Sequence, residues 1–389
     1  MTLHLAVALD GAGWHPAAWR DEGTRPDRLF TAGYWAELVL EAERGLLDWV
    51  TFEDSLGLQS SRFDAPDDRL DQVRGRLDAV LLASSLAPLT TRIGLIPTTS
   101  TTHTEPFHVA IGIASLDHVS RGRAGWRPRV SARPDEAAHF GRRAFPPLDL
   151  SDPAIAEHVA KLFGEAADAV EVVRRLWDSW DDDAEIRDVA TGRFIDRDRL
   201  HYIDFQGEWF SVKGPSITPR SPQGQPLVTS LAHDTLPYEF AARGGDVVYV
   251  TPRDREDAEE IVGRVRAAEA AVGRSGPPLK ILADLVVFLG GVDRKARLDD
   301  LDGAELVSDA HVFVGTADRL AGLLLDWRDA GLDGYRLRPG VLPHDLTAIT
   351  RVLVPELQSR GAFRRAYETA DLRGRLGLSR PPSRYRQAS

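Results

Sequence analysis

Residues 92–118, RIGLIPTTSTTHTEPFHVAIGIASLDH, contain the unit from which the fold is predicted. Arg92–Pro97 is a short apolar run typical of a buried β-strand. It is followed by five consecutive hydroxyl residues and His103, after which Pro106, which a first helical turn tolerates, opens an apolar helix. A strand, a polar turn and a helix in this order form one β/α unit.

The same unit recurs along the chain. Upstream, Leu3–Leu9 and Trp49–Phe52 have the composition of strands, and residues 33–48 between them have apolar side chains at a helical period. Further strands, with helices between them, are predicted at Pro226–Ser230, Asp246–Val250, Leu282–Leu289, Val312–Val314 and Gly334–Leu337. About eight strands alternating with helices predict an α/β fold, a (β/α)8 TIM barrel.

Three segments interrupt this alternation. Residues 119–157 and 181–225 have no sustained period and are interpreted as insertions, the second with a β-hairpin within residues 201–212. Residues 345–389 are interpreted as a helical C-terminal tail. We therefore expect a single barrel domain over residues 1–389, with two insertions and a tail.

The composition excludes several classes of protein. Hydrophobic residues make up 43% of the 389 residues, which is ordinary for a folded chain. The absence of cysteine excludes disulfides, thiolate nucleophiles and cysteine-ligated metals. A net charge of −11 argues against a nucleic-acid partner. Neither a signal peptide nor the apolar run of about 20 residues that a membrane helix needs is found, so a cytoplasmic protein without a membrane partner is expected.

Familiar catalytic motifs are weak or missing. Gly11 and Gly13 follow the first strand, as in a dinucleotide-binding loop, but Pro16 stands where the third glycine is required. Neither a GxxxxGK[ST] phosphate loop nor a GxSxG nucleophile elbow occurs. The 11 histidines have no metal-binding spacing, so no metal site is predicted. This pattern favours a cofactor that carries the reaction.

The ends of the strands are where such a barrel binds ligands. His15 follows the first strand, and His103 ends the hydroxyl run after the third. His311 directly precedes Val312–Val314, at the amino-terminal end of that strand. These three histidines are the candidate catalytic residues, although turn and capping roles are the commoner use of polar residues at such positions.

Eleven short strings point to a known family. Together they resemble the bacterial luciferase-like flavin monooxygenases, in particular the branch of nitrilotriacetate, EDTA, pristinamycin and dibenzothiophene-sulfone monooxygenases. The strings lie in order over nearly the whole chain, at residues 13–20 (GWHPAAWR), 42–45 (AERG), 52–56 (FEDSL), 99–102 (TSTT), 105–109 (EPFHV), 114–126 (ASLDHVSRGRAGW), 176–180 (LWDSW), 207–215 (GEWFSVKGP), 219–224 (PRSPQG), 314–316 (VGT) and 354–358 (VPELQ).

The resemblance implies a luciferase-like TIM barrel that takes reduced FMN from a separate NAD(P)H:flavin reductase. The flavin would react with O2 to give a C4a-peroxyflavin, which oxygenates an organic small molecule. Such an enzyme needs no nicotinamide fold and no nucleophilic cysteine, only a dry pocket. A homodimer, paired through helices near the second and third strands, is expected by the same analogy.

The resemblance also implies contacts to the flavin. Asp54 would approach the ring, and Ser100 and Thr101 would hydrogen-bond it. Near the phosphate, relatives have a histidine and a tyrosine one helical turn apart, ahead of the LWDSW string. Counting back from that string puts Phe163 in the place of the tyrosine, and Val159, next to His158, in the place of the histidine.

A phosphate-binding serine of the relatives is also replaced. The matching segment begins at Ser230 and has Asp234 where the serine is expected. A carboxylate there would repel the phosphate, and Arg127 and Arg129 are the cations that the sequence offers in compensation. Two alternatives therefore stay open: a diverged, non-catalytic barrel with weak or lost flavin binding, and a deazaflavin-dependent hydride-transfer oxidoreductase.

Overall fold

The computed structural model describes residues 2–149, 151–290 and 292–385. Leu150 of the first predicted insertion, residues 386–389 of the predicted tail, Met1 and Gly291 lie outside the described residues.

The strands of the described residues are β1 (His4–Leu9), β2 (Trp49–Phe52), β3 (Gly94–Ser100), β4 (Gly125–Arg129), β5 (Glu185–Asp188), β6 (Arg193–Ile195), β7 (Phe205–Gln206), β8 (Ser211–Val212), β9 (Leu227–Leu231), β10 (Val247–Val250), β11 (Lys280–Leu289), β12 (His311–Gly315) and β13 (Gly334–Pro339). Eight parallel strands close into a barrel in the order β1-β2-β3-β4-β9-β10-β11-β13, and β13 pairs with β1. The predicted α/β TIM barrel is confirmed.

Helices cover the outside of the barrel and extend its loops. Most follow a barrel strand directly, as expected for β/α units. They are α1 (Ala32–Arg44), α2 (Ala79–Leu86), α3 (Pro106–Ser120), α4 (Pro134–Ala138), α5 (Pro153–Trp177), α6 (Thr235–Gly244), α7 (Arg255–Ala271), α8 (Val292–Asp302), α9 (Ala317–Arg328), α10 (His344–Ala348), α11 (Val354–Ser359) and α12 (Leu372–Arg375). Within the described ranges, none of these helices is both long and apolar enough to cross a membrane.

The lower interior of the barrel is apolar. We call this cluster the floor; its members are Trp49, Ile96, Leu227, Val247, Tyr249 and Leu282. Leu372 of α12 packs against it from below. The fit is close at Gly94, where an added Cβ would lie 2.7 Å from a Leu372 methyl group. The C-terminal segment therefore closes the bottom of the barrel, and the opening lies at the carboxyl ends of the strands.

The prediction of the barrel strands was wrong at two places. Residues 125–129, assigned to an insertion, form β4 and pair with β3 and β9. β4 has the sequence GWRPR, and its two arginines, the buried Arg127 and the half-buried Arg129, hide it from a search for apolar runs. The apolar segment 312–314, predicted as a barrel strand, lies in β12, which pairs from Leu285 onward with the outer half of β11. The insertion at residues 181–225 contains two short antiparallel hairpins, β5–β6 and β7–β8.

Candidate functional site

The upper interior of the barrel is charged. Side chains alternate along a strand, so Arg336 and Arg338 of β13 both face inward, as do Leu282 and Asp284 of β11. Arg336 Nε donates to Asp284 Oδ1 at 2.8 Å, and Arg338 Nε donates to Asp284 Oδ2 at 2.9 Å. All three side chains are fully buried. The single negative charge of Asp284 balances only one of the two guanidinium charges. A further acidic residue is needed to balance the other.

Glu53, directly after β2, is such a residue. Its Oε1 accepts from Arg336 Nη1 at 3.1 Å, and its Oε2 accepts from Arg127 Nη1 at 2.5 Å. Burial raises the pKa of Glu53, but the charges of Arg127 and Arg336 outweigh that effect and hold the pKa at about 2. Glu53, Arg127, Asp284, Arg336 and Arg338 are called the mouth network below.

Arg338 ties the mouth network to a loop of the rim. Its Nη1 donates to Asp309 Oδ1 at 2.6 Å, and its guanidinium lies 4.5 Å from the centre of the Trp14 ring. Burial raises the pKa of Asp309, but Arg338 outweighs it and keeps the pKa well below its usual range. The segment before β12 is thus held over the barrel by an ion pair.

A cavity of about 440 Å³ opens above the mouth network, at the carboxyl ends of the strands. This volume is within the range of small-molecule sites. Its aromatic lining includes Trp14 and Trp19, and its charged lining consists of Asp10, Glu53, Asp54, Arg62, Arg76, Arg127, Arg129, Arg133, Asp309 and Arg338. We call it the mouth cavity.

One wall of the mouth cavity has polar groups without partners. Gln59 Nε2 donates to Asp10 Oδ1 at 3.3 Å, but Gln59 Oε1 is buried without a hydrogen-bond partner in the described part of the chain. The same holds for Arg76 Nε, and the Arg76 guanidinium is 3.8 Å from Asp10 Oδ2. Burial raises the pKa of Asp10, although Arg76 opposes this effect. The wall therefore offers a donor and an acceptor that a ligand would complete.

A second, more apolar cavity of about 210 Å³ adjoins the first. Asp54, Ser55 and Arg129 line both cavities, and Ser100 lines the second. Asp54 accepts from Ser55 N at 2.7 Å and from Ala79 N at 3.0 Å, and burial raises its pKa. Arg129 donates to the Asp54 carbonyl oxygen at 2.9 Å. Asp54 and Ser100, the two positions expected to contact the flavin ring, thus line one cavity.

Thr101 lies beside that boundary but is already engaged. Its Oγ1 donates to the carbonyl oxygen of Arg129 at 3.2 Å, and its side chain lines a different cavity, next to His103. The bond holds the segment after β3 against β4.

The three candidate histidines occupy different places. His15 lines the mouth cavity, but its Nδ1 accepts from Ala17 N at 3.1 Å and its Nε2 lies 3.0 Å from Asp299 Oδ1. Nε2 is therefore the protonated nitrogen. Burial lowers the pKa of His15 against the opposing effect of Asp299. With both nitrogens engaged, the ring has no lone pair for a reaction and serves to hold α8 over the barrel.

His103 and His311 do not line the mouth cavity. The His103 ring stacks on Phe140 with centroids 5.0 Å apart, and its Nε2 is buried without a partner among the described residues. His311 is the first residue of β12, and its ring packs edge-on against Trp327 at 5.5 Å. Burial lowers the pKa of both imidazoles. Neither ring is within reach of a ligand bound in the mouth cavity.

The four positions implied for the phosphate do not line the mouth cavity either. Phe163 packs on Phe240 at 5.7 Å, and Asp234 caps α6, is largely exposed and pairs with Arg264 at 2.7 Å. The expectation that Asp234 repels the phosphate is therefore corrected: its carboxylate faces solvent, and Arg264 neutralises its charge. His158 Nε2, against Phe145, and Ser230 Oγ are buried polar atoms without partners in the described ranges.

Most residues of the mouth cavity were not predicted from the sequence. Gln59, Arg76, Asp309 and the mouth network were not singled out as ligand-binding residues, apart from the compensating role given to Arg127. Two signals were present: an Arg-x-Arg pair in each of β4 and β13, and Asp284 as the one acidic residue within the apolar run of β11. Alternate positions share a face, and a lone carboxylate in a buried strand requires a cation.

Known proteins resemble the chain over its whole length. Residues 12–308 match the family model described as luciferase-like monooxygenase. The chain is 32% identical to N-acetyl-S-(2-succino)cysteine monooxygenase of Bacillus subtilis (strain 168), covering 98% of both chains. It is 30% identical to nitrilotriacetate monooxygenase component A of Aminobacter aminovorans, covering 97% of both.

A solved structure agrees with this assignment. EDTA monooxygenase from Chelativorans sp. BNC1 superposes with a TM-score of 0.82 at 26% identity, covering 98% of this chain and all of that one. The family model, the relatives and the barrel topology point to the same family as the sequence strings. The chain is a member of the luciferase-like monooxygenase family.

Proposed function

We propose that the protein is the oxygenase of a two-component system. A separate NAD(P)H:flavin reductase would supply reduced FMN, and the protein would use it with O2 to oxygenate an organic small molecule. The observation that carries this proposal is the pair of adjoining cavities at the carboxyl ends of the strands, in a chain of this family. The larger cavity, of about 440 Å³, is within the range of small-molecule sites, and the adjoining cavity of about 210 Å³ extends it.

The residues present suit a flavin at this place. Asp54 and Arg129 line both cavities and Ser100 lines the second; these residues would hold the ring, with Arg129 favouring an anionic, reduced form. His158 Nε2 and Ser230 Oγ, buried atoms at positions expected to contact the phosphate, line neither cavity and are not counted among the groups that would hold the flavin. Reduced FMN supplies the electrons that activate O2, so that one oxygen atom is transferred to the substrate.

The other residues of the site bind, orient and exclude water. Trp14 and Trp19 cover part of the mouth cavity, and the Trp14 ring is fixed by Arg338 below it. Proton-holding groups of the cavity are the carboxyls of Asp10 and Asp54, whose pKa burial raises. His15 is not such a group, because its nitrogens are both engaged.

An anaerobic titration with reduced FMN, followed by mixing with O2 in a stopped-flow instrument, tests the proposal. We expect saturable binding and a transient flavin absorbance that decays to oxidised FMN. The Arg129→Gln variant should bind reduced FMN about tenfold more weakly, because a charge-assisted contact is lost. Arg133→Gln is the matched control, since Arg133 lines the same cavity but is already paired with Asp135 at 2.7 Å.

Two other results of this titration would favour the two alternative functions. Saturable binding of a reduced deazaflavin in place of FMN would favour a hydride-transfer oxidoreductase. Binding of neither would favour a barrel without flavin chemistry. Homodimerisation is a separate expectation that sedimentation equilibrium would test.

A further inference from the structure

We propose that O2 reaches the flavin through the second cavity, the space of about 210 Å³ between α2 and α3. This inference rests on the proposed function, because it gives a place to the O2 that the proposed reaction consumes. The second cavity and the mouth cavity differ in how their polar lining is satisfied, and that difference indicates different ligands.

The polar side chains of the second cavity have their partners within the protein. Thr98 Oγ1 accepts from Arg127 Nη1 at 3.1 Å, and Thr99 Oγ1 accepts from Trp126 Nε1 at 2.7 Å. Among the described residues, no buried side-chain nitrogen or oxygen of this lining lacks a hydrogen-bond partner. The second cavity therefore has no buried polar group that a ligand must complete.

The wall of the mouth cavity is different. Gln59 Oε1 and Arg76 Nε are buried there without partners in the described part of the chain, and a polar ligand would complete them. Water in a cavity needs roughly two to four polar partners, whereas a cavity without free polar groups stays dry and takes up apolar molecules such as xenon. O2 is also small and apolar, so it should enter the second cavity more readily than the charged mouth cavity.

The second cavity extends from the protein surface to the flavin site. Leu81 of α2 lines it and is 71% exposed, so this wall of the cavity is at the surface. Asp54 lines both cavities, so the other end meets the mouth cavity. Val80, Val109 and Gly112 belong to the same lining and supply apolar surface. Such a space is a route along which O2 can pass from solvent to the flavin ring.

A route apart from the mouth cavity has a physical advantage. Trp14 and Trp19 cover part of the mouth cavity, and the flavin and the substrate would occupy it. Water has to be excluded from that space while the reaction proceeds. O2 that arrives through the second cavity reaches the flavin without opening the mouth cavity to solvent.

Gly112 of α3 is the position at which this route can be narrowed. A Cβ added there would lie 3.6 Å from Val80 Cγ1, in ordinary van der Waals contact, and it would meet no other heavy atom of the described residues within 4 Å outside its own helix. Leucine at this position would therefore fill space in the second cavity. Leucine also favours a helix more than glycine does, so α3 is not weakened.

The reoxidation rate of bound, reduced FMN tests the inference. Reduced FMN, with the full-length protein in excess, is mixed with several O2 concentrations in a stopped-flow instrument, without substrate. We expect Gly112→Leu to lower the second-order rate constant about tenfold, equivalent to about 1.4 kcal/mol, because the added side chain obstructs the route. Gly112→Ala should lower it less, since a methyl group leaves more of the space open.

Ser115→Leu is the matched control. It adds the same side chain to the exposed face of α3, and Ser115 does not line the second cavity. Its rate constant should stay within about twofold of the wild type, as for most surface substitutions. The Kd of reduced FMN, measured for every variant, separates a change in O2 access from a change in flavin binding. Circular dichroism confirms that each variant is folded.

Xenon provides a second test, which does not depend on FMN. In crystals of the wild-type protein pressurised with xenon, we expect a xenon atom in the second cavity and none in the mouth cavity, because a polar lining holds water instead. Gly112→Leu should remove this xenon site.

Several results would overturn the inference. They are a wild-type reoxidation rate in Gly112→Leu, and the absence of xenon from the second cavity of the wild type. An unchanged rate with a raised KM for the substrate would assign the cavity to an apolar part of the substrate instead. Any of these with normal FMN binding removes this inference alone. Failure of the wild type to bind reduced FMN removes the proposed function, and the inference with it, even if xenon binds.

Discussion

The floor and the mouth network are built from the same strands, yet they bury opposite kinds of side chain. On β11, the apolar Leu282 and the charged Asp284 are two residues apart on one face, and both are fully buried. Tyr249 joins the two regions: its hydroxyl accepts from Trp49 Nε1 at 2.9 Å, and its ring lies 4.0 Å from the Arg336 guanidinium.

The difference shows which half of the barrel is built for stability. Burying a large apolar side chain stabilises the folded state by about 1.5–3 kcal/mol. A buried ion pair often stabilises the fold no more than apolar residues of similar size would. The floor therefore stabilises the barrel, and the mouth network keeps charges beneath a ligand cavity. Substitutions in the two regions should consequently differ in their effects.

Asp284→Asn should have the largest effect. The substitution removes the carboxylate that Arg336 and Arg338 share, and both guanidinium groups stay buried. The free energy of unfolding should therefore fall by about 3–5 kcal/mol. Urea denaturation followed by circular dichroism measures this change. Asp309→Asn removes a half-exposed partner of Arg338 and should cost clearly less. A loss below about 1 kcal/mol for Asp284→Asn would show that the mouth network does not need its central carboxylate.

Leu282→Ala makes the corresponding change in the floor. We expect a loss of about 3 kcal/mol, within the roughly 2–5 kcal/mol typical of a buried Leu→Ala cavity, by the same urea measurement. Because no floor residue lines the mouth cavity, FMN affinity of the folded variant should equal that of the wild type. A large loss of FMN affinity would contradict the separation of the two regions.

Glu53→Gln tests the electrostatics of the mouth network by pH. The pKa of Glu53 is depressed from its ordinary 4.5 to about 2, so its contribution to stability is full above pH 4.5 and is lost as the pH falls toward 2. Between these values, the wild type should lose of the order of 1–3 kcal/mol more unfolding free energy than the variant, since the amide of the variant cannot titrate. Parallel curves for the two proteins would contradict the prediction.

Asp234→Ser should have the smallest effect. The carboxylate is largely exposed and paired with Arg264, and serine caps a helix about as well as aspartate, so stability should change within about 0.5 kcal/mol. The Kd of FMN, measured by fluorescence quenching, should change less than about twofold, because an exposed charge is screened. A tenfold tightening would mean that Asp234 does oppose the phosphate.

Much of the fold was predictable, because a buried parallel strand and an amphipathic helix leave strong local patterns. Trp49–Phe52 was predicted with its observed bounds, and the apolar runs of the other predicted strands gave the barrel. β4 was missed for a physical reason: its inward side chains are arginines, and the buried Arg127 is held by hydrogen bonds to Glu53 and Thr98. The partners lie more than 25 residues away in sequence.

The candidate site was predictable only in outline. The resemblance pointed to Asp54 and Ser100, and the fold places both in the lining of one cavity. The sequence did not indicate that both ring nitrogens of His15 are hydrogen-bonded. Nor did it indicate that Asp234 pairs with Arg264 at the protein surface. Both facts depend on neighbours on other helices, Asp299 of α8 and Arg264 of α7.

By itself, the sequence determined the alternation of strands and helices, the family and the ends of strands at which ligands bind, because these follow from local periodicity and from strings of contiguous residues. Only the tertiary structure decided which charges are satisfied. It paired Arg127 with Glu53 and Arg338 with Asp284, and it left Arg76 and Arg129 available in the mouth cavity. Ion pairing acts through space over a few ångströms, and closing the barrel brings together charges as distant along the chain as Arg336 and Glu53, which are 283 positions apart.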